Sequence, residues 1–300
     1  MFCGLVTVLV LGSGCGITPP STATPTTVGS TATSPGTATS TALPTTVPTV
    51  PAASTGSPGV SPGPTSTPTS TQQGSPPTAP TPGCGLPGNL LGRDLTTVPG
   101  GARVVALTFD AGGSDAGLAP ILATLKDRAA PATFFLTGDF ARAFPVASRG
   151  IATAHPVGNH TENHRDLTRL PATTVRAEIR AGESSILKAT GVNPRPYFRF
   201  PLGARNAETI EIVNAECYLP IRWTIDTLGW QGTEGGMSAE RVYRRVIDGL
   251  QPGAIVLMHV GANPDDGTTF DADALPRIID SIRGHGYRLV TLEQVLPDTP

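Results

Sequence analysis

A continuous apolar run over 104–109, closed by a glycine-rich turn, predicts a strand buried on both faces. Leu118, Ile121, Leu122 and Leu125 recur at helical spacing, which predicts a helix from Asp115, as its N-cap, to about Arg128. The alternation continues with a strand over 132–136, a helix over 140–149 and a short strand over 156–158. Val175, Ile179, Ile186 and Leu187 mark a long helix, followed by a strand over 196–200, a helix over 208–216 and a strand over 219–224. Ser238 caps a helix reaching Gly249, and a strand over 254–258, a helix over 275–283 and a last strand over 288–290 complete the pattern. Repeated strand-helix units argue for parallel strands, so the expected fold is α/β, a distorted (β/α)7-type, TIM-like barrel. An open doubly wound sheet is the second possibility. No G-x-G-x-x-G or Walker pattern follows a strand, which weakens the case for a nucleotide site.

Ahead of Arg93 this pattern vanishes, and no Lys, Arg, Asp, Glu or His occurs there. Residues 1–15 carry the apolar stretch of an export leader without its basic start, and Gly12-Ser13-Gly14 leads into Cys15 as in a bacterial lipobox. Lipidation of Cys15 and plain signal cleavage both remain open. Residues 16–83 are rich in Thr, Pro and Ser and cannot build a core; they read as a disordered linker able to stretch on the order of 200 Å. The folded domain is expected over 84–300, exported and cell-wall associated. Its cysteines, Cys84 and Cys217, suggest one disulfide in an oxidising compartment. A net charge of −2 without a basic stripe argues against a nucleic-acid partner, and no apolar run is long enough to cross a bilayer. Membrane contact is expected only through a lipid on Cys15, and the chain is expected to be a monomer.

In parallel barrels functional groups gather where strands end. Asp110 ends the first predicted strand, His160 and His164 follow the third, Arg199 ends the fourth, Asp226 follows the fifth and His259 ends the sixth. Four positions separate His160 from His164, so on one helical turn their rings face the same side and can chelate a cation such as Zn²⁺. Glu162 between them reads as solvent-facing, and His155 and His285 as structural.

Thr108-Phe109-Asp110, His160-Thr161-Glu162-Asn163-His164, Arg199-Phe200-Pro201-Leu202-Gly203, Asp226 to Trp230, and Leu257-Met258-His259 together resemble the five ordered motifs of the NodB-homology polysaccharide deacetylases, carbohydrate esterase family 4. The likeness runs over about 103–296. It implies metal-assisted hydrolysis of an N-acetyl group on a sugar polymer. By the resemblance Asp110 is the general base and His259 the general acid. The Leu202 N–H helps hold the oxyanion, Arg199 orients Asp110, and Leu257 with Trp230 walls the acetyl group. The implied substrate is a cell-wall amino sugar, peptidoglycan GlcNAc or MurNAc. Chitin, xylan, or a non-catalytic glycan-binding role are the alternatives.

The chain departs from the family pattern twice. Ala111 stands where the family commonly has a second aspartate as third metal ligand, so the expected site is a divalent metal, zinc by preference, on His160 and His164, completed by Asp115 or water. Gly229 stands where many relatives carry a carboxylate that tunes the acid histidine, and Asp226 is the nearest substitute in sequence.

Overall fold

The structure is a computed structural model that describes residues 84–296. The leader and linker expected over 1–15 and 16–83 lie outside the described residues. In chain order the elements are β1 (Val104–Ala111), α1 (Leu118–Asp127), β2 (Thr133–Leu136), α2 (Gly138–Ala143), α3 (Pro145–Ala154), β3 (Val157–Asn159), α4 (Ala172–Thr190) and β4 (Tyr197–Phe198). They continue with α5 (Ala207–Ala215), β5 (Leu219–Pro220), β6 (Ile225–Asp226), α6 (Ala239–Asp248), β7 (Ala254–His259), α7 (Phe270–Gly284) and β8 (Arg288–Val290). The strands form one sheet in the order β5-β4-β3-β2-β1-β7-β6, with β8 also on β1. Every ladder between these strands is parallel. The sheet curls into an α/β, TIM-like half-barrel wrapped by helices, the expected barrel left open between β5 and β6.

β1 is buried along its whole length, and its two faces do different work. Successive side chains of a strand point to opposite faces. Val105, Leu107, Phe109 and Ala111 accordingly pack outward against the helices, with Ile121, Leu125, Ile278 and Ile282. Val104 and Ala106 join the inner cluster with Phe135, Tyr197, Leu219, Ile255 and Val290. Thr108 and Asp110 continue that inner face, which delivers a carboxylate to the carboxyl rim of the sheet.

Several expected elements differ in the structure. The helix over 140–149 is two helices, α2 and α3, because Pro145 has no N–H to continue the first and Phe144 leaves helical geometry at φ −126° and ψ 60°. The strand over 219–224 is only β5, at 219–220, which pairs with β4; a separate strand beyond the expected range, β6, pairs with β7, so the residues between them bridge the two flanks of the sheet. α1 begins later than expected. Gly117 rather than Asp115 is its N-cap, and the Asp115 carbonyl accepts the Leu118 N–H in a turn.

The seam between β5 and β6 is bridged by the segment ahead of β1. Leu95 pairs with Ile221 and Thr97 with Ala254, at the amino end of β7. Leu90, Leu95 and Val98 lie in the inner cluster. Cys84 is disulfide-bonded to Cys217, just ahead of β5 and 133 positions away in sequence. Cross-linking so long a loop restricts the unfolded chain, so replacing both cysteines by serine should cost about 2–4 kcal/mol in urea unfolding. An unchanged midpoint would show that the strap holds without the bond.

Candidate active site

A cavity of about 700 Å³ opens at the carboxyl ends of the strands. Asp110, His160, His164, Leu202, Asp226, Trp230, Leu257 and His259 all line it, so eight sequence-identified residues from distant segments meet in one place. Asp115 is not among the lining residues. Phe200, from the motif that carries Arg199, also lines the wall, as do Asp139 and Trp223, which the sequence pattern does not single out. A left-handed Gly203 (φ 64°) admits Trp223, because a Cβ there would come within 2.8 Å of the indole.

Arg199 is fully buried beneath the cavity floor. Its guanidinium donates to Asp110 Oδ1 at 2.7 Å, Thr108 Oγ1 at 2.9 Å, and the carbonyls of Ile221 and Arg222 at 3.1 and 3.0 Å. Its plane lies 4.1 Å over the Phe135 ring. These bonds tie β1, β4 and the bridge between β5 and β6 to one cation. Burial alone would push Asp110 up, but Arg199, His160 and His259 outweigh it and hold the carboxyl below the ordinary carboxylate range.

The two histidines sit side by side, but not on a helix. Thr161 and His164 take left-handed φ values of 68° and 55°, which folds 160–164 into a tight loop. The loop is held by side chains: Asn159 Oδ1 accepts the Thr161 N–H, Thr161 Oγ1 accepts the His164 N–H, and buried Glu178 accepts the Asn163 N–H. The helical-turn expectation is therefore corrected, although the rings still meet edge to face with centroids 4.8 Å apart. Glu162 is corrected as well. Its side chain, 13% exposed, pairs with Arg142 and accepts from Ser185, between α2 and α4.

His160 Nδ1 lies 2.8 Å from the Arg199 carbonyl, which can only accept, so the proton is on Nδ1. Burial pushes His160 down to about 4, so the ring is neutral at physiological pH and Nε2 keeps a free lone pair. That lone pair faces Asp110 Oδ2 at 3.4 Å, two acceptors with no proton between them. Burial lowers His164 too. Two neutral imidazoles beside a carboxylate suit a divalent cation. The third protein ligand is missing: the Ala111 methyl is packed in the outer apolar layer, and among the described residues no group of three or more His, Cys, Asp or Glu side chains is arranged to hold a metal. The donor set fits a cation through His160 and His164 alone.

Asp110 and His259 are register partners on β1 and β7, so their side chains project from the same face. Burial opposes charge on His259, but Asp271, Asp110 and Asp226 together outweigh it and raise the imidazole above its usual value. Asp271, from the first turn of α7, is the carboxylate in contact, accepting the His259 N–H at 2.8 Å. It corrects the expectation that Asp226 fills this place. Asp226 Oδ1 accepts the Leu228 N–H at 2.9 Å, and burial raises its pKa. Asp271 escaped notice because the helix was expected to begin at Leu275, leaving its true first turn to be read as loop. Asp271 is the first acidic residue of that turn, four positions ahead of Leu275. Trp230 stands half-exposed with its ring 6.3 Å from that of His259, and its carbonyl accepts from Asn263.

A carboxylate kept ionised and an imidazole biased toward its charged form, across one small cavity from a neutral imidazole pair, equip a hydrolase that attacks an acyl carbon. Comparison with known proteins narrows the class. The polysaccharide deacetylase profile matches residues 97–218. A peptidoglycan-N-acetylglucosamine deacetylase of Bacillus cereus is 33% identical over 190 residues, covering 63% of this chain and 66% of its own length. A chitooligosaccharide deacetylase of Azorhizobium caulinodans is 27% identical over 197 residues, covering 63% of this chain and 92% of its own. The crystal structure of a carbohydrate esterase family 4 pseudoenzyme from Bacillus anthracis superposes with a TM-score of 0.59 at 28% identity, covering 65% of this chain and 66% of that one. The chain belongs to the polysaccharide deacetylase family.

Proposed function

We propose that this protein is an exported deacetylase that hydrolyses N-acetyl groups of cell-wall amino sugars, peptidoglycan GlcNAc or MurNAc. The observation that carries the reading is the pairing of Asp110 with His259 on adjacent strands, one group held ionised and the other biased toward the imidazolium. Such a pair supplies a base and an acid at the same pH. In this reading Asp110 takes a proton from the attacking water while Arg199 fixes the carboxylate. His259 delivers a proton to the departing amine. The Leu202 N–H, on a turn strained to φ 59°, receives the oxyanion, and Leu257 and Trp230 confine the acetyl methyl. His160 and His164 would hold a divalent cation such as zinc, which when bound supplies Lewis acidity toward the carbonyl. Export is supported by the Cys84–Cys217 disulfide and by the cell-wall substrate named for the Bacillus cereus relative. Residues 1–15 and 16–83 would then serve as leader and linker, with Cys15 as a candidate lipid anchor.

Purified protein is expected to release acetate from peptidoglycan or chitopentaose, with release abolished by a chelator. Metal bound to the wild type should be lost in His160→Ala. No release under several divalent metals rejects the hydrolase reading. A second reading has its own support, since Ala111 removes a ligand position and family members include a pseudoenzyme. It predicts retention of the glycan on the protein with no acetate formed.

A further inference from the structure

The place that a side chain at Gly229 would take is already filled. A Cβ on Gly229 would lie 2.5 Å from Asp271 Oδ1 and 2.7 Å from its carboxyl carbon. The carboxylate comes instead from α7, is 3% exposed, and spends Oδ2 on the His259 backbone N–H. The same Oδ2 lies 3.6 Å from His259 Nδ1, within ion-pair range but beyond hydrogen-bond length. His259 Nδ1 and Asp271 Oδ1 are both buried without hydrogen-bond partners. The buried, unpartnered Nδ1 therefore has Asp271 Oδ2 as the carboxylate oxygen within ion-pair range, while Oδ1 points to Gly229. The other groups facing His259 are Asp110 from β1, Asp226 from β6 and His164 from the loop after β3. None of them hydrogen-bonds Nδ1, and Asp226 is engaged with Leu228.

We propose that Asp271 is the positioning carboxylate of His259: it accepts the Nδ1 proton, fixes the ring so that Nε2 faces the cavity, and replaces from α7 the side chain that Gly229 lacks. The proposal rests on the deacetylase reading for its effect on rate, but its geometry can be tested without turnover.

In Asp271→Asn, the amide keeps the size of the carboxylate, and its oxygen can still accept the His259 N–H and face Nδ1, but it is a neutral, weaker acceptor with no charge to hold the imidazolium. Turnover should fall by about tenfold or more with KM little changed. The alkaline limb of the pH profile should move to lower pH, because the imidazolium has lost its contact carboxylate. Returning the carboxylate to the other side, in Gly229→Asp with Asp271→Gly, should recover most of that loss, whereas Gly229→Asp alone clashes and should not. Ring ¹⁵N shifts of His259 give the activity-independent readout: a proton on Nδ1 in the wild type, and an altered tautomer population in Asp271→Asn. Identical ring shifts in both proteins, each shown folded by thermal melting, overturn the proposal. A wild type that forms no acetate but shows the Nδ1 signature sinks the hydrolase reading and leaves the assignment of Asp271 standing.

Discussion

Replacing Asp110 by Asn is expected to lower acetate release by about 10²–10⁴-fold, the range over which a positioned proton acceptor acts. The substitution conserves shape and leaves Asn Oδ1 able to accept from Arg199, which donates to Asp110 Oδ1 at 2.7 Å. The loss should therefore appear in the rate constant rather than in folding. Initial rates on chitopentaose beside urea unfolding of the same samples separate the two. A rate within about tenfold of the wild type would remove Asp110 from the role of base.

Arg199→Met is expected to be the most destabilising single change at the site, by about 3–5 kcal/mol, because it leaves the buried Asp110 charge without its partner. The carbonyls of Ile221 and Arg222 lose their donor in the same step. The cost has a pH signature. Asp110 is held below the ordinary carboxylate range, so its pairing stabilises the fold at pH above that range, and the contribution is lost as pH falls through the lowered pKa. Unfolding curves of the variant and wild type should converge in acid. Combining Arg199→Met with Asp110→Asn should recover part of the stability and none of the activity. Additive losses in the double variant would show that the two groups are not energetically coupled.

Much of this was legible in the sequence because it depends on alternation and on strand ends. The two-sided burial of β1 follows from an apolar run broken only by Thr108 and Asp110, both of which face inward. Features that depend on packing between distant segments were not legible. The histidine pair is built by a left-handed loop pinned by Asn159 and Glu178, and spacing of four positions mimics a helix it does not form. The division of 219–226 between two flanks needed the whole sheet, since each short strand finds a different neighbour. Asp271 reaches His259 only because Gly229 leaves room, a complementarity between two segments that one-dimensional pattern does not carry. The break at Pro145 was available from local chemistry alone, through the missing N–H.

The strap over Cys84 to Val98 also sets how the domain bears load. It pairs with Ile221, just past β5, and with Ala254 at the amino end of β7, and is bolted to Cys217 ahead of β5. A pull on the chain ahead of Cys84 is passed through the sulfur bridge into the edge of the sheet at its base. Asp110 and His259 stand at the carboxyl ends of β1 and β7, so tension that enters ahead of β5 at Cys217 does not run through the strand ends that carry them.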